Sequence, residues 1–251
     1  MQSELVIERV GESRAINPQA SPALTRIHLW DLPIRIFHWS LVAAVLTAVV
    51  TGEVGGSWMG VHGKAGLTII GLVAFRLAWG VIGSTHARFL SFAPSPAKIR
   101  AYFKGQWRGV GHNPLGAISV LALLGLLALQ AGTGVFANDD IDFSGPLSVL
   151  VDKTLSNRLT GYHQWLSYLL LGLMALHVVA IIFYARFKKD NLVKPMVTGW
   201  KEVQSGKSTA KGGRLALIVA ILVAAAAVFL ASGGNIHTTP SAPSAKTTPA
   251  W

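Results

Sequence analysis

Four histidines lie within long apolar segments of the sequence, and their spacing suggests that they hold a metal in pairs. His163 and His177 are 14 residues apart in one such segment. At about 100° and 1.5 Å per residue, this spacing places both imidazoles on nearly the same face of a helix, about 21 Å apart along its axis. His38 and His62 lie in two other apolar segments. Ionisable residues at membrane depth are costly, so all four are candidates for a functional site.

The elements that must position these histidines are membrane-spanning helices. The 251 residues are 51% hydrophobic and only 13% charged, whereas a soluble domain carries about 25% charged residues. A helix needs about 20 apolar residues to cross a bilayer. Five segments meet this requirement: Ile34–Gly52, His62–Ile82, Leu115–Ala137, Gly161–Ala185 and Leu215–Ala231. The fifth contains no ionisable residue and is expected to be an anchor or a packing helix.

The basic residues predict the orientation of these spans. Of the 22 Lys and Arg residues, 17 lie in the N-terminal segment up to Arg35 at the start of the first span, or connect the second span to the third and the fourth to the fifth. Because cytoplasmic loops retain Lys and Arg, these segments are predicted to be cytoplasmic, with the N-terminus inside and the C-terminus outside. The net charge of +11 then reflects topology and attraction to anionic membrane lipid. It does not indicate nucleic-acid binding.

This topology pairs the histidines by depth. His62 and His163 are expected near the outer surface and are named the outer pair, and His38 and His177 lie deeper toward the inside and are named the inner pair. Neutral imidazoles from two helices can supply both axial ligands of a haem. The chain contains no cysteine, which excludes thioether attachment. The two pairs therefore predict two non-covalent b-type haems.

Two other interpretations of the histidines remain open. Each one could form a hydrogen bond across helices instead of binding a metal. A metal transporter could also use histidines, although a transport pathway usually adds carboxylates, methionine clusters or cysteines. The first four spans contain no Asp or Glu beyond Glu53 at a boundary. The pattern favours haem over transport.

Other polar residues are candidates for contacts with the cofactor. Arg76 follows His62 by 14 residues and is expected on the same helix face at the inner depth. It could pair with a haem propionate or extend its charged end to the membrane surface. His112 and Asn113 open the third span, where they could bind a quinone carbonyl or a propionate, or cap the helix. Glycines could let a macrocycle approach the helices or serve helix packing; they are Gly66, Gly71, Gly125, Gly132 and Gly172.

Several motifs resemble the prokaryotic cytochrome b561 family, which includes the cytochrome b subunits of membrane-bound nickel–iron hydrogenases. The resemblance covers roughly Arg26 to Glu202 and implies four transmembrane helices that bind two b haems, with ligands from the first, second and fourth helices. It also implies electron exchange between a quinone pool and a partner. Arg35, within the first motif, joins the cofactor-binding candidates. The motifs are Trp30–Trp39, Phe75–Gly80, Gly83–Phe89, Gly111–Gly116 and Leu176–His177.

The fold expected from these observations is an all-α integral membrane protein, a four-helix bundle holding two haems with one extra C-terminal helix. The expected divisions are a cytoplasmic arm (1–25), the di-haem domain (26–202), a cytoplasmic linker (203–213), the fifth helix (214–232) and a periplasmic tail (233–251).

The expected function is electron transfer between quinone and a redox partner in the bacterial cytoplasmic membrane. That partner is either a membrane-attached oxidoreductase or a periplasmic cytochrome c, which could dock on the acidic loop Asp139–Asp152. Oxidation of superoxide with reduction of quinone is an alternative. The outer loops are not clearly cationic, which suits an anionic substrate poorly.

Overall fold

All five predicted spans are helical in the computed structural model, which describes residues 24–141, 143–204 and 208–234. Most of the predicted arm and tail, and Asp142 of the acidic loop, lie outside the described residues. Each of the five helices is long and apolar enough to cross a membrane. They are α1 (Leu32–Val54), α2 (Met59–Ile82), α5 (Pro114–Gly134), α6 (Lys153–Arg186) and α8 (Arg214–Ala231).

Side-chain caps set where three of these helices begin. The carboxylate of Asp31 accepts a hydrogen bond of 3.0 Å from the backbone N–H of Ile34 and starts α1. Asn113 caps α5, and Asp152 caps α6. Each cap satisfies one backbone donor that has no partner within its helix.

Helix α6 begins eight residues before the predicted start at Gly161. The polar residues 153–160 carry no apolar signal, yet the Asp152 cap starts the helix there. At 1.5 Å per residue the 34 residues of α6 span about 51 Å, well beyond a hydrocarbon core of about 30 Å. The first turns of α6 therefore extend outside the apolar layer.

Helix α2 is central to the packing, because it contacts α1, α5 and α8, while α6 packs mainly on α5. One cluster of buried apolar side chains joins α1, α2, α5 and α6 midway along the bundle. This arrangement holds the two helices that carry His62 and His163 in one core. The buried members are Ala44, Val45, Ile69, Val73, Leu126, Leu127, Ala131 and Leu170.

The fifth span, α8, packs along α2, in agreement with the expectation of an anchor or packing helix. Ala220 of α8 is completely buried against α2 and the start of α1. A Cβ atom added to Gly71 would lie 2.8 Å from Cγ2 of Val228 on α8. Gly71 thus makes room for this helix, which supports the helix-packing role of the two roles that the sequence left open for it.

A two-stranded sheet departs from the predicted all-α fold. Strand β1 (Thr25–His28) pairs antiparallel with β2 (Trp200–Val203), and Arg26 lies opposite Glu202. Each strand has only four residues, and the partners are distant in sequence, so local patterning carries little signal for them. Three short α-helices, α3 (Phe89–Phe92), α4 (Pro96–Phe103) and α7 (Val193–Thr198), and two 3-10 turns, Gly56–Trp58 and Ser148–Leu150, complete the described fold.

The described part of the predicted linker is docked on the bundle. The backbone N–H of Thr209 donates to the carbonyl of His28 at 2.7 Å, and Thr85 donates to the carbonyl of Ala210 at 3.3 Å. These bonds attach the chain leading into α8 to β1 and to the end of α2.

Candidate paired-histidine centre

His62 on α2 and His163 on α6 face each other across the bundle. Their ring centroids are 6.0 Å apart, and the ring planes meet at 87°. A transition metal lies about 2.0–2.1 Å from an imidazole nitrogen, so two imidazoles that share one metal have centroids about 6 Å apart. The outer pair therefore has the separation that a shared metal requires.

Hydrogen bonds determine which nitrogen of each ring carries the hydrogen. Nδ1 of His62 lies 2.8 Å from the carbonyl oxygen of Ala48 on α1, and Nδ1 of His163 lies 2.8 Å from the carbonyl oxygen of Gln130 on α5. A carbonyl can only accept, so each Nδ1 carries the hydrogen and the Nε2 lone pair of a neutral ring remains for a metal. Metal-binding histidines commonly donate their second N–H in this way.

A glycine makes room for each imidazole. A Cβ atom on Gly52 would lie 3.0 Å from Nδ1 of His62, and one on Gly134 would lie 2.8 Å from Cε1 of His163. Each glycine comes four residues after the carbonyl that its imidazole contacts. A larger residue at either position would push the ring away from that carbonyl.

The two histidines therefore occupy the same local arrangement, which we call the imidazole cradle. It consists of a carbonyl that accepts the Nδ1 hydrogen, a threonine three residues later and a glycine four residues later. Thr51 Oγ1 lies 3.3 Å from the Ala48 oxygen, and Thr133 Oγ1 lies 3.0 Å from the Gln130 oxygen. Sequence reasoning missed both cradles. The available signal was a Thr-Gly pair near the outer end of the first and third spans.

The side chain of Gln130 is a further feature of the site that sequence reasoning missed. Its side-chain Nε2 lies 3.2 Å from Nε2 of His163. Its Oε1 is buried and forms no hydrogen bond with any residue that the structure describes. The amide therefore occupies the nitrogen of His163 that a metal would need.

Two largely apolar clefts border the outer pair. One lies between α1 and α6 and reaches Val45, and the other lies beneath the outer loop and reaches Phe143. Gly66 borders both clefts, and a Cβ atom there would meet nothing within 4 Å. Open, largely apolar space thus adjoins the histidines. The residues shared by the two clefts are Met59, His62, Gly66, Ala131, Thr160 and His163.

The inner pair is brought together less closely. His38 on α1 and His177 on α6 are near enough to interact electrostatically. The His38 ring packs edge-on against Trp39, with centroids 5.1 Å apart, and among the described residues its Nδ1 is buried without a hydrogen-bond partner. The inner site therefore contains a buried imidazole nitrogen whose hydrogen-bonding capacity is not used by the described part of the chain.

Arg76 is buried close to the inner pair, with 4% of its surface exposed, so it does not extend to the membrane surface. Its Nη1 donates to the carbonyl of Ala87 at 3.0 Å, and the guanidinium lies 4.6 Å from the centre of the Phe89 ring. Within the described ranges no carboxylate lies within ion-pair distance of it. The Asp31 carboxylate instead accepts from Trp79 Nε1 at 3.1 Å.

His112 lies between two aromatic rings beside this region. Its centroid is 4.7 Å from that of Trp30 and 4.6 Å from that of Phe92. Burial, together with the positive charge of Arg76 and the nearby His177, lowers the pKa of His112 to about 3. The ring is therefore neutral, and its Nδ1 is buried without a hydrogen-bond partner in the part of the chain that the structure describes.

Asn113 has the capping role that the sequence allowed. Its Oδ1 accepts from the backbone N–H of Gly116 at 2.8 Å, and its Nδ2 donates to the hydroxyl of Tyr184 at 2.7 Å. Tyr184 also forms a hydrogen bond with Tyr102 of α4. Both ends of the Asn113 amide are thus engaged within the protein.

Arg35 connects α1 to α7. Its Nη1 donates to the carbonyl of Val197 at 2.6 Å, while its Nε is buried without a partner within the described ranges. The structure thus gives Arg35 a helix-connecting contact, and its predicted contact with a cofactor stays a prediction.

Comparisons with known proteins agree on one family. The model of the family described as prokaryotic cytochrome b561 matches residues 29–199. The "Probable Ni/Fe-hydrogenase 1 B-type cytochrome subunit" of Escherichia coli (strain K12) is 22% identical over 233 residues, which cover 77% of this chain and 98% of the relative.

Two further relatives carry the name "Probable Ni/Fe-hydrogenase B-type cytochrome subunit". The one from Rhizobium leguminosarum bv. viciae is 20% identical, over 76% of this chain and 95% of the relative. The one from Azotobacter vinelandii is 24% identical, over 70% of this chain and 89% of the relative. No solved structure matches the chain significantly.

Proposed function

Because the chain belongs to the prokaryotic cytochrome b561 family, we propose that it transfers electrons in the membrane between the quinone pool and a redox partner through two b-type haems. Membership of this family implies b-type haem and a multi-pass membrane protein. The observation that carries the proposal is the geometry of His62 and His163.

The residues around the outer pair fit a haem. The imidazoles are 6.0 Å apart, each Nδ1 contacts a carbonyl, and apolar clefts adjoin the pair. Bound haem supplies reversible one-electron chemistry, while the protein supplies ligands, spacing and an apolar surrounding. His62 and His163 would bind the iron, and the cradles would keep the hydrogen on each Nδ1 and hold the two rings toward each other.

A second haem is proposed between His38 and His177. The unsatisfied Nδ1 of His38 and the guanidinium of Arg76, which has no ion pair, support it. A buried charge needs a partner, and a haem propionate would provide one. His112, neutral and unsatisfied at Nδ1, is proposed as a hydrogen-bonding partner for a propionate or for a quinone carbonyl.

For the redox partner we favour a membrane-attached oxidoreductase. The relatives are named as cytochrome subunits of Ni/Fe hydrogenases, which supports a hydrogenase as that partner. The acidic loop supports a cytochrome c less well, because Asp140 already forms an ion pair with Lys153. The basic segments support placement in the bacterial cytoplasmic membrane with the N-terminus inside.

The test is to purify the full chain in detergent, extract the haem and count it per chain, then add a quinol. We expect two non-covalent haems, both reduced by quinol. Colourless protein that moves divalent metal into vesicles would instead support a transporter. Reduction of quinone driven by a superoxide source, and absent without it, would support the superoxide alternative.

A further inference from the structure

The imidazole cradle occurs twice, on α1 for His62 and on α5 for His163. In both cases the imidazole comes from the next long helix of the chain and donates to the carbonyl at 2.8 Å. We propose that Gly52 and Gly134, together with Thr51 and Thr133, are positioning residues that set the orientation and the electron donation of the two outer imidazoles. This proposal rests on the proposed function, because it concerns ligands of the outer haem.

The glycines act by controlling distance. A Cβ atom would approach the imidazole to 3.0 Å at Gly52 and to 2.8 Å at Gly134, which is closer than carbon atoms normally pack. Each imidazole is attached to a carbonyl of the same helix that carries the glycine. A ring displaced by a methyl group would therefore also lose its Nδ1 hydrogen bond.

Glycine is not required throughout these helices. Gly125 and Gly132 also lie on α5, yet a Cβ atom at either position would meet nothing within 4 Å. Only Gly134, two residues beyond Gly132, faces the His163 ring. Glycine is thus required at position 134 because that position faces the His163 ring, and not because α5 as a whole needs glycine to pack.

The threonines act on the carbonyl. Thr133 Oγ1 lies 3.0 Å from the Gln130 oxygen that also receives the His163 hydrogen and 2.9 Å from the Leu129 oxygen, and it lies 3.4 Å from His163 Nδ1 itself. Its single hydrogen is shared between the two carbonyls, so part of its donation competes with His163 for the electron density of the Gln130 oxygen. The strength of the Nδ1 hydrogen bond tunes how basic a ligand imidazole is. Removing the hydroxyl should make His163 a stronger electron donor and favour ferric haem.

The effect of the threonine should be weaker at the other cradle. Thr51 Oγ1 lies 2.6 Å from the oxygen of Thr47 and only 3.3 Å from that of Ala48. Its hydroxyl is therefore directed mainly at a carbonyl that does not contact His62. The two cradles have the same arrangement of residues. They differ in how strongly the threonine hydroxyl competes with the imidazole Nδ1–H for the carbonyl oxygen.

The first experiment compares G134A with the matched control G132A in the full-length purified protein. We expect G134A to weaken haem binding at the outer site by about 10- to 100-fold, the usual effect of disturbing a group that orients a metal ligand. The inner haem should remain, and G132A should behave as the wild type. Equal haem content and spectra in G134A and the wild type, or the same loss in G132A, would overturn the proposal.

A second pair of variants keeps the test decisive if G134A does not fold. T133V preserves side-chain shape, and T133S restores the hydroxyl. We expect a lower midpoint potential of the outer haem in T133V and a return toward the wild-type value in T133S. An unchanged potential in T133V, or the same shift in both variants, would contradict the proposal. If the wild-type protein binds no haem, the proposed function and this inference are both overturned. If the wild-type protein binds haem and the variants have the same haem content and midpoint potential as the wild type, only this inference is overturned.

Discussion

His62 and His163 lie edge to face with their ring centroids 6.0 Å apart, and each donates its Nδ1 hydrogen to a carbonyl of a helix other than its own. Four helices thus contribute to one site: α2 and α6 carry the imidazoles, and α1 and α5 orient them. This relationship explains why the site depends on helix packing as well as on the two histidines.

Removing the charge of Arg76 should affect the inner site selectively. Arg76 is buried and has no ion pair with any described residue, so its proposed propionate partner should depend on it. We expect R76M to lose most of the inner haem while keeping the outer one, as measured by haem content and the absorbance spectrum. R88M is the matched control, because Arg88 is exposed near the same end of α2. An inner haem retained equally in R76M would rule out the propionate contact.

Gln130 should compete with iron for His163. Its amide lies 3.2 Å from Nε2 of His163 and must move before a metal can bind there. A hydrogen bond contributes about 0.5–1.5 kcal/mol, so we expect Q130L to bind haem about 2- to 10-fold more tightly at the outer site. Titration of haem into the haem-free protein measures this, with Q164L, in the same cleft, as control. Weaker binding in Q130L would show that the amide supports the bound state instead.

Acid should destabilise the protein through His112. Burial and the charge of Arg76 lower its pKa to about 3, whereas an unfolded chain takes up the proton near pH 6.5. Between these values the unfolded state binds more protons, so this stabilisation is fully present above about pH 6.5 and is lost as the pH falls, by up to about 1.4 kcal/mol per unit. Melting temperatures in detergent should fall less steeply with acid in H112F than in the wild type. Equal slopes would contradict the assignment.

The packing of α8 on α2 should depend on Gly71. A Cβ atom there would lie 2.8 Å from Cγ2 of Val228. Overpacking of this kind costs about 1–3 kcal/mol, so G71A should lower the melting temperature. V228A removes the clashing methyl groups, and the double variant should recover part of the loss. Additive losses in the double variant would show that the two residues do not interact.

The spans and the pairing of His62 with His163 followed from the sequence because hydropathy and a spacing of 14 residues are local properties. Other features depend on contacts between distant segments. The start of α6 required the Asp152 cap within a polar stretch, and the pairing of Thr25 with Val203 joins strands too short to leave a pattern.

The roles of individual polar and small residues were the least predictable. The sequence around Asn113 was compatible with a helix cap and with a cofactor contact. Its hydrogen bonds to Gly116 and Tyr184 in the folded chain favour the cap. Gly71 and Gly134 are both glycines within spans, yet one faces a neighbouring helix and the other an imidazole. Such a difference becomes visible only when the helices are packed.

The central claim, that His62 and His163 bind one haem and His38 and His177 bind another, is tested most directly by the spectra of four single alanine variants. We expect H62A and H163A to lose the same component of the reduced-minus-oxidised difference spectrum, and H38A and H177A to lose the other. If H163A loses the component that H38A loses, or if all four variants keep the wild-type spectrum, the pairing is wrong.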